Sequence, residues 1–251
     1  MSTSLPISSP VVESPTARLA QRAAGTRAVV IDAGVGNLGN LSRALRFLGA
    51  EVEVTNSAED LDGEQCLVLP GVGAFRPPRE QLRGAMEEAL HQRVEAGAWL
   101  LGICVGYQLL FTAGDEHGET DGLGLLPGRI TRLPDTVPLP HIGWTPLRPQ
   151  LGCGSPPPEA ESLLAGVLPP VESAERAGAH VYFVHSYAPD GVPDSAVWAK
   201  ATHGRPFVAV AGRGRVMGTQ FHPEKSGPAG LRLLANFLNL AHGREENSDE
   251  L

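Results

Sequence analysis

Cysteine is scarce in this chain, with three residues at positions 66, 104 and 153, an odd number without the paired spacing of a zinc site or a disulfide framework. That scarcity argues against a disulfide-stapled scaffold and fits a reducing cytosol. No apolar run approaches the roughly 20 residues that a membrane span requires, and the N-terminus lacks a charged segment followed by an apolar one. A soluble, cytoplasmic protein is expected. Basic residues are also in deficit: 20 Lys and Arg stand against 28 Asp and Glu, a net charge of −8. A nucleic-acid backbone is bound by a clustered basic face that releases counterions, so neither nucleic acid nor membrane is expected as a partner. What the chain does have is 251 residues with 42% hydrophobic content, enough for one large core and hence one domain.

Residues 1–26 are rich in Ser, Thr, Pro and Ala without apolar periodicity, so a disordered extension is expected. Arg18, Arg22 and Arg27 would suit a transit peptide, but Glu13 and the missing amphipathic face count against one. From Arg27 the pattern becomes α/β. Ala28 to Ile31 reads as a buried strand, and Asn40 to Leu48 places Leu41, Ala44, Leu45 and Leu48 on one helical face. Glu51 to Thr55 alternates as an edge strand, Cys66 to Leu69 is an apolar strand stopped by Pro70-Gly71, and Pro78 to Gly97 reads as one helix. Trp99 to Ile103 is another buried strand, with a helix from Tyr107 to Ala113. This alternation predicts a parallel, doubly wound sheet whose ligand site lies beyond the carboxyl ends of the strands.

The second half is strand-rich, at 128–133, 141–147, 180–187, 196–202, 207–211 and 216–220, so the sheet should be mixed. Gly152 to Pro158 and Pro169 to Gly178 read as surface loops. Leu231 to Leu240 closes the domain as a helix, and residues 243–251 form an acidic mobile tail. The expected domain therefore spans residues 27–242.

Three motifs carry chemistry. Gly34-Val35-Gly36-Asn37-Leu38-Gly39 matches the glycine pattern of a dinucleotide turn, with Glu51 and Glu53 at the spacing of a ribose-binding acid. Tight strand-to-helix turns favour glycine for other reasons, and no hydride-transfer site follows. A dinucleotide-binding protein is thus the lesser alternative. Gly102-Ile103-Cys104-Val105-Gly106 sits at a strand-to-helix junction, the layout of a nucleophile elbow. A thiolate is the reactive form of cysteine, and a helix N-terminus favours its charge, so Cys104 is placed for attack. Cys66, inside an apolar strand, and Cys153, in a loop, read as inert.

Among eight histidines, His222 stands just past a strand in Phe221-His222-Pro223-Glu224, with a carboxylate two residues on. It can take the thiol proton and return one to a leaving group, while Glu224 fixes its tautomer. His91, His117, His203 and His242 lack such a neighbourhood. No metal-ligand spacing is present, and with the glycine turn set aside no cofactor is expected.

A Gly-x-Cys-x-Gly elbow followed far along the chain by His-Pro-Glu resembles the class I glutamine amidotransferases. Within them the chain is similar to the glutaminases of histidine biosynthesis, through 34–39, 69–75, 102–111, 140–144, 182–187 and 220–226. The resemblance implies one α/β domain with a mostly parallel mixed sheet flanked by helices, the triad Cys104, His222 and Glu224, and no cofactor. It implies oxyanion donors in the Pro70-Gly71-Val72-Gly73 loop, Gly71 and Gly73 among them, with a second from Val105. Glutamine would be held by Gln108, by Glu116 at its α-amino group, and by His185, Ser186 and Tyr187 at its carboxylate. The implied partner is a (β/α)8-barrel cyclase, in a heterodimer, that uses the ammonia to make imidazole glycerol phosphate and an aminoimidazole ribonucleotide. Trp144, Tyr182 and Lys225 would face it. Ala33, Tyr107 and Thr145 depart from the usual family pattern. A family member that had lost its chemistry, or a cysteine hydrolase acting alone, are the remaining alternatives.

Overall fold

Short, fully apolar runs can satisfy their backbone polar groups and bury both faces only as central strands of a sheet covered on both sides. The computed structural model, which describes residues 19, 25–150, 155–169 and 178–243, builds around such strands. In chain order, β1 (Arg27–Ile31), α1 (Leu38–Phe47), β2 (Glu51–Thr55), β3 (Cys66–Gly71), α2 (Arg76–Leu82), α3 (Ala85–Glu95), β4 (Trp99–Cys104) and α4 (Val105–Leu109) form the first half. Then come β5 (Ala113–Gly114), β6 (Thr120–Asp121), β7 (Arg129–Arg132), β8 (His141–Pro146), β9 (Arg148–Pro149) and α5 (Pro158–Leu164). The chain closes with β10 (His180–His185), β11 (Tyr187–Asp190), β12 (Val197–His203), β13 (Arg205–Arg213), β14 (Val216–Thr219) and α6 (Gly227–His242).

Among the described residues the main sheet has eight strands in the order β2, β1, β3, β4, β14, β13, β12, β9. β1 to β4 and β14 are parallel, while β13, β12 and β9 are antiparallel. Thus the mixed, mostly parallel sheet is present, with β2 on its edge as the alternation of Glu51 to Thr55 predicts. A two-stranded sheet of β8 and β10 and a four-stranded one in the order β11, β7, β5, β6 accompany it. Val29, Val30, Ile31, Leu67, Val68, Leu100 and Leu101 are fully buried, each stabilising by about 1.5–3 kcal/mol relative to exposure. Among the described residues no helix is long and apolar enough to cross a membrane.

Several expectations need correction. Residues 78–97 are not one helix: Gly84 takes φ +81° between α2 and α3, a conformation that interrupts the helical hydrogen-bond ladder. β3 continues through Pro70 and Gly71, which pair in register with Ile103 and Cys104. The helix after Cys104 begins at Val105 and ends at Leu109, so Ala113 is in a strand instead. Residues 180–187 divide at Ser186 into β10, paired with β8, and β11, paired with β7. Pro158 opens a helix rather than closing a loop, and Asn236 of α6 caps that helix through the carbonyls of Leu163 and Ala165 at 3.0 and 2.9 Å. Inside the stretch read as disordered, Leu19 and Thr26 are buried. Cys153, the acidic tail and most of residues 1–26 lie outside the described residues.

The glycine turn after β1 does not serve a dinucleotide by its packing. A Cβ on Gly39 would meet nothing within 4 Å, whereas the third glycine of that fingerprint is needed for close helix-to-strand contact. Gly36 instead takes φ +149° against the Pro70 ring.

Candidate active site

The parallel order places the carboxyl ends of β3, β4 and β14 side by side, with Gly71 paired to Cys104 and Thr219 paired to Ile103. Cys104 is the turn between β4 and α4 and holds φ +55°. A non-glycine residue in that region is strained, and the strain is enforced by its neighbours. A Cβ on Gly102 would lie 2.6 Å from Tyr107 Cα, and one on Gly106 only 1.8 Å from the Leu69 carbonyl oxygen. The two glycines of the elbow therefore let β4 turn into α4 against β3.

β14 delivers the second half of the site. Past Thr219 the chain bends, and the His222 amide donates to the Tyr182 carbonyl at 3.0 Å. The buried Ser226 hydroxyl accepts from the Tyr182 amide at 2.9 Å and donates to the His222 carbonyl at 2.6 Å, which binds this turn to β10. His222 Nδ1 donates to Glu224 Oε1 at 2.9 Å, with side-chain exposures of only 2% and 3%. Since a carboxylate only accepts, the neutral ring carries its proton on Nδ1 and leaves the Nε2 lone pair for the thiol.

Burial alone would lower the pKa of His222, but the hydrogen bond and charge of the Cys104 sulfur, with those of Glu224, outweigh it and raise it to about 9. A ring stabilised in its charged form by both neighbours is a competent acceptor for the thiol proton. In the structure itself Nε2 has no hydrogen-bond partner, so the pairing with the Cys104 sulfur that raises the ring is not closed in this geometry. The thiol points to the Val184 carbonyl at 3.8 Å.

A cavity of about 230 Å³ opens over the sulfur, lined by Cys104, His222, Gly73, Val105, Gln108 and Glu116 on one side and by Val184, His185, Ser186 and Tyr187 on the other. The structure thus gathers the sequence-derived residues of the site around this cavity with two exceptions: Glu224, which reaches it only through its hydrogen bond to His222, and Gly71. Gly71 lies behind the cavity, because a Cβ there would already be 2.7 Å from the Gly106 amide nitrogen; Val72 and Pro140 line the space instead. Glu116 Oε2 accepts from the Phe75 amide at 2.8 Å, anchoring the segment that follows Gly73. Trp144 and Tyr182 are cross-strand partners on β8 and β10 with ring centroids 6.0 Å apart. Lys225 Nζ stands 6.0 Å above the Tyr182 ring.

Sequence reasoning missed three features. Gln220 has its Nε2 directed at Cys104 Sγ at 3.8 Å; its place two residues before His222 was the available signal. His203 is not solitary, since it stacks on His141 at 4.1 Å between ring centroids, and His242 Nδ1 lies 3.2 Å from Thr26 Oγ1. Among the described residues no group of three or more His, Cys, Asp or Glu could hold a metal ion.

Comparison with known proteins agrees with this geometry. The family model described as glutamine amidotransferase class-I matches residues 29–241. The imidazole glycerol phosphate synthase subunit HisH of Symbiobacterium thermophilum is 44% identical over 212 residues, covering 84% of this chain and 92% of that protein. The subunit of the same name from Geobacillus kaustophilus is 41% identical over 222 residues, covering 86% and 97%. Among solved structures, one titled as a glutamine amidotransferase superposes with a TM-score of 0.65 at 23% identity, over 87% of this chain and 100% of that one.

Proposed function

The chain belongs to the class I glutamine amidotransferase family, and from that membership we propose that it is the glutamine-hydrolysing subunit of an imidazole glycerol phosphate synthase, acting in histidine biosynthesis. The observation that carries the reading is that Cys104 and His222 line one cavity, with Glu224 hydrogen-bonded to the His222 ring at 2.9 Å, in a chain over 40% identical to HisH subunits along most of its length.

The proposed chemistry uses the chain's own groups throughout. His222 Nε2 takes the Cys104 proton, and the thiolate attacks the side-chain carboxamide carbon of glutamine. Charge then grows on the amide oxygen, where the Val105 and Gly73 amides are assigned as donors; each such donor is worth about 3 kcal/mol. The His222 imidazolium, steadied by Glu224, passes its proton to the departing nitrogen as the C–N bond breaks, giving ammonia and a thioester. Water, deprotonated by the same ring, attacks the thioester, restores the thiol and releases glutamate. Gln108 and Glu116 hold the substrate, with Glu116 at the α-ammonium group and the backbone of His185, Ser186 and Tyr187 at the carboxylate.

Ammonia released into water would be protonated and lost, so the proposed partner is a (β/α)8-barrel cyclase that receives it directly in a heterodimer. Trp144, 54% exposed, lies on β8 beside Ile142, 61% exposed. An outward apolar pair of this kind on one short strand fits a buried partner contact. Tyr182 and Lys225 extend the same face.

The test is glutamine hydrolysis by the isolated chain, and by the chain with the cyclase and its ligand. Slow hydrolysis alone and strong stimulation by the loaded cyclase are expected. Replacing Cys104 with Ala should abolish glutamine-dependent synthesis and spare synthesis from added ammonia. Equal hydrolysis with and without the cyclase would refute the synthase assignment, and loss of both activities in the variant would refute the role given to Cys104.

A further inference from the structure

Behind the cavity, the polar groups are joined so that each donor and acceptor has a single assignment. The Tyr187 carbonyl can only accept. It lies 2.8 Å from His185 Nδ1 and 3.0 Å from Gln108 Nε2, so both nitrogens carry hydrogen toward it. Along one arm, His185 Nε2 is then the lone-pair nitrogen and receives a hydrogen from His141 Nδ1 at 3.1 Å. His141 Nε2 in turn receives one from the Thr145 hydroxyl at 2.8 Å. Along the other arm, the second amide hydrogen of Gln108 goes to Gln220 Oε1 at 3.1 Å.

Gln220 is wholly buried, and turning its amide over would set its NH2 group against that of Gln108. Its free end is therefore Nε2, and an N–H faces Cys104 Sγ at 3.8 Å. On another side of the sulfur stands the Val184 carbonyl, also at 3.8 Å, an acceptor that suits S–H and not S⁻. The two contacts act oppositely: Val184 favours the thiol, and Gln220 favours the thiolate.

We propose that Gln220 is an electrostatic partner of the nucleophile, its N–H held on Cys104 by Gln108 and the Tyr187 carbonyl so that the sulfur is stabilised once its proton has gone to His222. This rests on the reading of Cys104 as the nucleophile. The direction of the amide comes from a backbone carbonyl that cannot reverse its polarity, so the Gln220 donor is oriented before the thiolate forms. Thr145, His141 and His185 hold that carbonyl from the far side. Thr145 thereby has a defined place in the chain of hydrogen bonds.

The test uses the full chain with Gln220→Glu and Gln220→Met. The first keeps the shape and the acceptor for Gln108 but turns a carboxylate oxygen toward the sulfur; the second removes the donor without adding charge. Alkylation of Cys104 by iodoacetamide near neutral pH should slow by about tenfold or more in both, as loss of a hydrogen bond to a charged group requires. The kcat for glutamine should fall in parallel, with KM nearly unchanged. Ammonia-dependent synthesis in the complex, together with melting, checks that each variant is folded. An unchanged alkylation rate in a folded variant overturns the proposal, whatever happens to kcat.

The unaltered chain gives a test that needs no change at position 220. The side-chain NH2 resonance of Gln220 should follow the same pH profile as alkylation of Cys104, and a resonance indifferent to that ionisation overturns the proposal. Alkylation reads the sulfur and not the substrate. Should a Cys104→Ala variant still hydrolyse glutamine while alkylation behaves as expected, the reading of Cys104 as the nucleophile fails and the pairing of Gln220 with the sulfur stands.

Discussion

His222 Nδ1 and Glu224 Oε1 lie 2.9 Å apart with both side chains almost wholly out of solvent. Because the carboxylate both orients the ring and stabilises its charged form, Glu224→Gln should cost more than geometry. An acceptor for Nδ1–H remains, but the negative charge does not. We expect kcat for glutamine hydrolysis to fall by about 10²- to 10⁴-fold with KM little changed, in the range of lost general acid–base support. The same variant should flatten the alkaline limb of the stability curve. His222 is raised from the ordinary 6.5 to about 9, so its contribution is complete below pH 6.5 and is lost as pH rises through about 9. Melting temperatures between those two values, compared for the two proteins, check the sign. An identical alkaline slope would mean that Glu224 does not stabilise the charged ring.

The acid limb belongs to a different pair. Burial, with smaller contributions from neighbouring histidines, lowers His185 to about 3 and His141 to about 4. Both rings stay neutral in the native state while the unfolded chain binds protons below about pH 6.5. Stability should therefore fall as the pH drops from 6.5 toward 4. His141→Asn, which cannot titrate there, should shallow that fall in urea melts; an unaltered slope would count against the neutral pair.

Tyr107 is fully buried below the elbow, and its hydroxyl has no hydrogen-bond partner. An orphaned buried hydroxyl costs about 1–3 kcal/mol. Tyr107→Phe keeps the ring, which stands edge-on to Phe111 at 5.1 Å, and removes only the orphan. We expect a gain of about 1 kcal/mol with glutaminase activity retained. A loss of stability in denaturant titration would mean that the hydroxyl is satisfied in solution.

Much of the scaffold can be read locally. The apolar runs at 28–31, 66–69 and 99–103 become central strands because a run with no polar face can only be buried on both sides. Glu51 to Thr55 becomes the edge, paired with β1 on one side and with Glu51 and Val54 exposed. Where reading failed, the cause was competition between local signals. The helical pattern of 78–97 hid the positive-φ break at Gly84, and the β-branched and aromatic run 181–184, followed so soon by Tyr187, hid the corner at Ser186, where the strand leaves one sheet for another.

Within the site, the elbow and the His-Pro-Glu turn were legible because their spacing is local. The two glycines around Cys104 are required by contacts within a few residues of the turn or across one strand pairing. Val184 and the His141–His185 pair were not legible, and for Gln220 only its nearness to His222 was. Their roles arise only when β8, β10, β14 and α4 meet, and sequence separation says nothing about which donor will face which acceptor.

The amino-acid sequence by itself determined the class of fold, the sulfur, imidazole and carboxylate at 104, 222 and 224, and the two tight turns that present them, since periodicity and backbone sterics act over short stretches of chain. Only the tertiary structure decided which way each hydrogen bond runs, that the resting thiol faces Val184, and that an amide two residues before the base points at the sulfur. Those choices depend on groups brought together from opposite ends of the chain, and hydrogen-bond polarity exists only once partners are in place.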